Sequence, residues 1–333
     1  MSLFRRVAKG GRRKFTRLFF ATDVHGSDDC FKKFLNAATL YKADAIILGG
    51  DITGKTVVPI IENADGGYGC EFQGHRHRMR SLTEVEKFEK LINRSGSYPY
   101  RTTESEMERL MRSPESVDEV TQGLTIDRVR EWVKLAEERL GDSGITVVMG
   151  AGNDDFPEID GVINESSFVI NHHERVFRIT EHHEMIGLGY ANQTPWDCPR
   201  DISEEELGRK IDEVANQVED MERCIFCIHV PPVDSTIDLC PQLDSSVYPP
   251  RMISDSTGQP LMFGAGSTAV REAIERYEPA LGLHGHIHES RGVTRIGRTM
   301  CINPGSEYSE GLLRGAIINL TPDKVLSYQL TSG

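Results

Sequence analysis

The sequence predicts an α/β fold in which strands alternate with helices, and three observations carry that reading. Residues 18–22, "LFFAT", form a short apolar run, and "ADAIILGGD" at 43–51 forms a second. Between them Phe31, Phe34, Leu35 and Ala38 recur at helical spacing. A strand, a helix and a strand within about 35 residues make a parallel β–α–β unit.

Ser27 is placed to cap the first helix. Residues 55–143 are charged and read as mostly helical, with capping-box spacing at Ser81/Glu84 and Thr103/Glu106. Ile126, Val129, Val133, Ala136 and Leu140 stripe one helix face. This predicts a helical insertion at about 55–125 and a crossover helix over 126–140, after which "ITVVMG" resumes the strand pattern. "SSFVIN", "RVFRI" and "EMIGLGY" read as further strands. Ser203/Glu206 opens a helix with Leu207, Ile211, Val214, Val218 and Met221 on one face. "CIFCIH" is a strand ending at His229, and 231–266 reads as a long loop. "STAVREAIERY" is a helix, "ALGLHGHIH" a strand, and "RGVTRIG", "TMCINPGS", "RGAIINL" and "KVLSYQL" are short β segments. No internal repeat or low-complexity tract interrupts the pattern. The expected organisation is a basic tail at 1–17 and one domain over 18–330.

Bulk properties exclude several classes. No apolar run is long enough to span a membrane, and "LFFA" is too short for a signal peptide. Seven scattered cysteines in 333 residues fit a reducing cytoplasm better than a disulfide framework. The net charge is −13, although residues 1–17 carry seven Lys/Arg and no acid, which leaves −20 on the remainder. Such a body is a poor platform for nucleic acid, whose affinity rests on neutralised phosphates. It suits cations.

Five predicted strand ends hold polar residues of one kind: Asp23/His25, Asp51, Asn153, His229 and His286/His288. Carboxylate, imidazole and amide oxygen are the ligand set of divalent metals. Side chains i and i+2 of an extended segment point the same way, so Asp23 with His25, and His286 with His288, can each aim at one centre. Seven ligands are too many for one tetrahedral site. They suit two ions about 3.5–4 Å apart that share a carboxylate.

Asp23-Val24-His25, Gly50-Asp51, Gly152-Asn153, His229 and Gly285-His286-Ile287-His288 resemble, in order, the motifs of the calcineurin-like metallophosphoesterases. "NPGS" at 303–306 resembles a turn common in that family. The likeness covers roughly 18–54 and 144–320. It implies a sandwich of two mixed β-sheets flanked by helices. It implies one metal held by Asp23, His25, Asp51 and His288, and another held by Asp51, Asn153, His229 and His286, with Asp51 bridging. The implied reaction is hydrolysis of phosphate esters, diesters or anhydrides, in which a metal-bound hydroxide attacks phosphorus in line. Mn²⁺ is favoured because the family often uses it; Fe, Zn²⁺ and Mg²⁺ also fit the ligands.

Asp154 departs from the family pattern, which often has a His after that Asn. An ordinary Asp is ionised at neutral pH, unable to donate a proton and repulsive to phosphate. Losing general acid help costs roughly 10²–10⁴ in rate and hurts most with poor leaving groups. The enzyme then favours good leaving groups, or another residue supplies the acid, with His75, His77, His172, His173, His182, His183 and His284 as candidates, or the site is weak. Asp51 and Asp154 are the expected catalytic residues. Asn153, His75 and Arg76 are the expected substrate contacts, the last two from a lid in "GHRHRMR". Asp155 is expected to support a ligand. Cys224 and Cys227 read as buried packing.

The expectation is therefore a cytoplasmic dimetal phosphohydrolase, a phosphodiesterase or pyrophosphohydrolase on a small nucleotide-like phosphorylated substrate. A catalytically weak metal-bound scaffold and a nuclease are the alternatives. The insertion suits a lid or a contact between copies in a homo-oligomer.

Overall fold

The computed structural model describes residues 15–244, 246–247 and 250–333. Most of the expected basic tail, residues 1–14, lies outside them. Arg17 belongs to the fold: it sits in strand Thr16–Ala21 and donates to Asn319 Oδ1 at 2.9 Å and the Tyr41 carbonyl at 2.7 Å.

Two six-stranded mixed sheets flanked by helices form the centre, as expected of a metallophosphoesterase-type sandwich. The first runs, in spatial order, Lys324–Ser332, Arg314–Thr321, Thr16–Ala21, Ala45–Leu48, Thr146–Met149 and Val169–Asn171, the last four mutually parallel. The second runs Gly292–Ile296, Thr299–Asn303, Leu281–Leu283, Ile225–Ile228, Glu184–Leu188 and Arg175–Arg178, with four parallel strands between antiparallel edges.

The period of two along each strand sorts the core into layers. Leu18, Phe20, Ala45, Ile47, Ile225, Cys227, Leu281 and Leu283 meet between the sheets. Phe19, Ala21, Ile46 and Leu48 face outward onto helices Asp28–Leu40 and Pro114–Leu140. Phe226 and Ile228 face the opposite way, onto helices Glu204–Ala215 and Thr268–Tyr277. Each large apolar side chain buried this way contributes about 1.5–3 kcal/mol. The strand ends beneath the polar residues are thereby held in dense packing.

The segment expected to be a helical insertion is less helical than its charge suggests. A four-stranded sheet, His75–Met79, Tyr68–Phe72, Val57–Glu62 and Tyr98–Thr103, accompanies helices Leu82–Arg94 and Glu104–Leu110. It has a small core of its own, including Val58, Ile60, Phe72, Val85 and Ile92. Its edge strand reads "HRHRM", and that charge hides the strand period. The crossover helix starts at Pro114, before the apolar stripe, because Ser113 caps it by accepting from the Ser116 amide at 3.4 Å. The loop at 231–266 contains two small two-stranded sheets, Leu239–Pro241 with Met262–Gly264 and Leu243–Asp244 with Arg251–Met252. Among the described residues no helix is long and apolar enough to cross a membrane.

Candidate metal centre

The five polar strand ends converge. Asp23, His25 and His288 bring ligand atoms within 4.8 Å of one another, and so do Asp51, His229 and His286. Asp51 faces both groups: its Oδ1 is 3.3 Å from His229 Nε2 and its Oδ2 is 3.7 Å from His25 Nε2. Asp23 Oδ1 is 3.4 Å from His288 Nε2 and 3.8 Å from His229 Nε2. His286 Nδ1 lies 2.9 Å from Asn153 Oδ1.

The backbone is bent to achieve this. Asp23, His25, Asp51 and His286 have φ of 53°, 39°, 45° and 66°, a region that non-glycine residues rarely occupy. Such conformations cost on the order of 1–3 kcal/mol each and persist where surrounding bonds fix them. Here the Asp23 amide donates to the Gly50 carbonyl at 2.9 Å and the His25 amide to the Asp51 carbonyl at 3.0 Å. Glycine permits the close approach. A Cβ at Gly50 would collide with the His229 ring, and one at Gly152 with the Asp51 amide and carboxylate.

The "NDD" triplet divides its work. Asn153 presents its amide oxygen towards His286 because its Nδ2 donates to Asp201 Oδ1 at 2.8 Å. Asp155 is fully buried and accepts from the amides of Ile52 (2.9 Å), Thr53 (2.8 Å) and Gly152 (2.7 Å), and from the Thr53 hydroxyl (2.6 Å). It clamps the Asp51 loop to the Asn153 loop. Burial and the neighbouring Asp51 charge push its carboxyl above the usual range. Asp154 stands at the rim: its amide donates to Asp51 Oδ1 at 3.0 Å, and its side chain pairs with Lys55.

"NPGS" is a clamp of the same kind. Buried Asn303 donates to the Gly285 (3.3 Å) and Ile287 (2.9 Å) carbonyls, and the Ser306 hydroxyl donates to the Asp23 carbonyl at 2.6 Å. The Tyr308 ring packs 4.6 Å from that of His25.

The electrostatics suit cations. Burial works against the charge on Asp51, yet His229, His25 and His286 outweigh it and hold its carboxyl far below the usual range. Burial likewise disfavours a charged His229, but Asp51 and Asp23 push it up to about 9. Burial and His229 push His286 down to about 4. Both ring nitrogens of His229, which is 0% exposed, lack a hydrogen-bond partner. A buried imidazole without partners, facing two carboxylates, fits a divalent ion. The mixed oxygen and nitrogen donors fit one too.

The structure does not bring His75 and Arg76 to this centre. Both are exposed on the edge strand of the insertion sheet, without a hydrogen bond or ion pair to the site residues. His77 shares that strand and packs on Phe88. None of the other acid candidates belongs to either ligand group. His284 is buried with Nδ1 2.8 Å from the Ile228 carbonyl, and His172 is fully buried. His173 Nδ1 accepts from the Gly189 amide, and His183 binds Thr180. His182 is exposed, its amide donating to the same threonine. Cys224 and Cys227 are buried and free, and burial raises both thiols. Asp201 and Lys55 are the site residues that sequence reasoning missed.

No known family profile matches the chain. A curated relative does: the uncharacterized protein MJ1162 of Methanocaldococcus jannaschii is 31% identical over 173 residues, covering 51% of this chain and 67% of that protein. The chain belongs to the family of MJ1162. That relative has no assigned activity to lend. Among solved structures, one overlaps with a TM-score of 0.57 at 17% identity, over 95% of this chain and 98% of that one. The protein TT1561 of Thermus thermophilus overlaps with a TM-score of 0.51 at 12% identity, over 96% of this chain and 98% of that one. At these identities the likeness is one of fold.

Proposed function

We propose that the chain is a dimetal-dependent phosphohydrolase, a phosphodiesterase or pyrophosphohydrolase acting on a small nucleotide-like substrate. One observation carries the reading: two three-residue ligand groups stand side by side, and the Asp51 carboxylate faces both. Asp23, His25, Asp51 and His288 would hold one ion, and Asp51, Asn153, His229 and His286 the other. When bound, the two ions lower the pKa of water and offset the charge on phosphoryl oxygens. In a chain of net charge −13, that local positive charge is what admits a phosphate.

The protein's own residues supply position. Asp155 and Asn303 fix the loops, and Asp201 keeps the Asn153 oxygen turned inward. Each presets geometry before substrate arrives, where phosphoryl transfer gains most of its rate. The insertion is not assigned a lid's role, since no hydrogen bond or ion pair joins His75 or Arg76 to the metal-centre residues. The seven free cysteines support a reducing compartment such as the cytoplasm.

The test is hydrolysis by the Mn²⁺-loaded protein of bis-p-nitrophenyl phosphate against p-nitrophenyl phosphate, with Asp51→Asn as control. Diester turnover that vanishes in the variant supports the reading. Metal-loaded protein that cleaves no diester or nucleotide anhydride refutes it.

A further inference from the structure

Lys55 reaches the rim of the metal centre from the Asp51 loop, and its base is fixed. The Thr53 amide and hydroxyl bind Asp155, and the Gly54 amide donates to the Tyr98 hydroxyl at 3.1 Å. Its ammonium pairs with Asp154 Oδ1. Asp154 is anchored in turn: its amide binds Asp51 Oδ1 at 3.0 Å, its Oδ1 accepts from the Cys198 thiol at 3.3 Å, and its Oδ2 lies 3.8 Å from His25 Nδ1. One carboxylate thus separates the ammonium from residues of both ligand groups.

This pairing changes the meaning of Asp154. A bare carboxylate there would repel a phosphate, but the lysine cancels its charge. An ammonium has three N–H donors, of which Asp154 takes one, and the Lys55 side chain is 37% exposed. Two donors are left for a ligand. Burial opposes the lysine's charge, yet Asp154 outweighs it and raises the pKa above the ordinary lysine value. With two donors free at the rim, such a cation can hold oxygens of a phosphoryl group other than the one the metals bind. The second phosphoryl group of a phosphoanhydride is the matching chemistry.

We infer that Lys55, oriented by Asp154, is a substrate-binding cation that holds the second phosphoryl group of a phosphoanhydride. The inference rests on the proposed hydrolase and narrows it towards pyrophosphate linkages.

The experiment compares wild type, Lys55→Met and Lys55→Arg, each loaded with Mn²⁺ and checked for equal metal content. Binding of inorganic pyrophosphate and of inorganic phosphate is measured by calorimetry. Turnover is measured on a dinucleoside pyrophosphate and on bis-p-nitrophenyl phosphate. Lys55→Met should weaken pyrophosphate binding and lower kcat/KM on the dinucleoside pyrophosphate by about 10–100-fold, the scale of one charge-assisted hydrogen bond. Because Lys55→Met also leaves the Asp154 carboxylate bare, Lys55→Met/Asp154→Asn is measured against Asp154→Asn; between these two, phosphate binding and diester turnover should change far less than pyrophosphate binding, and Lys55→Arg in the native background should keep most of the wild-type pyrophosphate binding. Unchanged pyrophosphate binding on removing Lys55 from the Asp154→Asn background, or an equal loss on every ligand in that background, overturns the inference. A wild-type protein that binds pyrophosphate through Lys55 yet cleaves nothing refutes the hydrolase and leaves the binding role standing.

Discussion

Asp51 Oδ1 lies 3.3 Å from His229 Nε2, and neither nitrogen of that buried ring has a hydrogen-bond partner. The other Asp51 oxygen faces His25. A carboxylate between two imidazole groups is the arrangement that two ions would share. His229→Asn should therefore lose the ion on its own side and retain the one near His25 and His288. Metal titration should fall from two bound ions to one; the loss of both would show that the groups are not separable.

Asp155 answers why a second carboxylate follows Asp154. Three backbone amides and a hydroxyl converge on it in a fully buried position. Each buried donor left without a partner costs about 1–3 kcal/mol. Asp155→Ala should destabilise the fold by at least about 3 kcal/mol in urea unfolding and weaken metal binding too. A change under about 1 kcal/mol would contradict the clamp.

Gly152 is required by proximity, since any Cβ there meets the Asp51 amide and carboxylate. Gly152→Ala should displace Asp51 and reduce metal affinity, with circular dichroism still reporting the native fold. Native metal affinity in that variant would show that the two loops have room to separate.

Asp201 acts through Asn153, whose amide it orients at 2.8 Å. Partners that orient a ligand are typically worth 10–100-fold in metal affinity. Asp201→Ala should show a loss of about that size for one ion only. Equal weakening of both ions would mean that the substitution disturbs the whole centre.

The ligand positions were legible because the physics is local. A buried strand ending on a carboxylate or imidazole is unusual, which marks these positions; the i, i+2 argument for their direction did not carry over, since Asp23, His25 and His286 take left-handed backbone and His286 and His288 join different groups. The sandwich was legible only through the family resemblance; in the structure its layers follow the alternation along each strand, as with Phe19 against Phe20. What supports the ligands was not legible. Asp201 reaches Asn153 across 48 residues and Lys55 reaches Asp154 across 99, and no local pattern marks either contact. His75 and Arg76 were expected to grip a phosphate because of their charge; they stand exposed on the edge of a small sheet, with no hydrogen bond or ion pair to the metal-centre residues. That sheet was hidden because charges broke the strand period in "HRHRM".

Metal content decides whether Asp51 is shared between two ions. Wild type and Asp51→Asn would be saturated with Mn²⁺, freed of excess ion, and assayed for metal per chain and for diester hydrolysis. Two ions are expected in the wild type, and in Asp51→Asn at most one, with hydrolysis abolished. Two ions and undiminished turnover in Asp51→Asn would contradict that sharing.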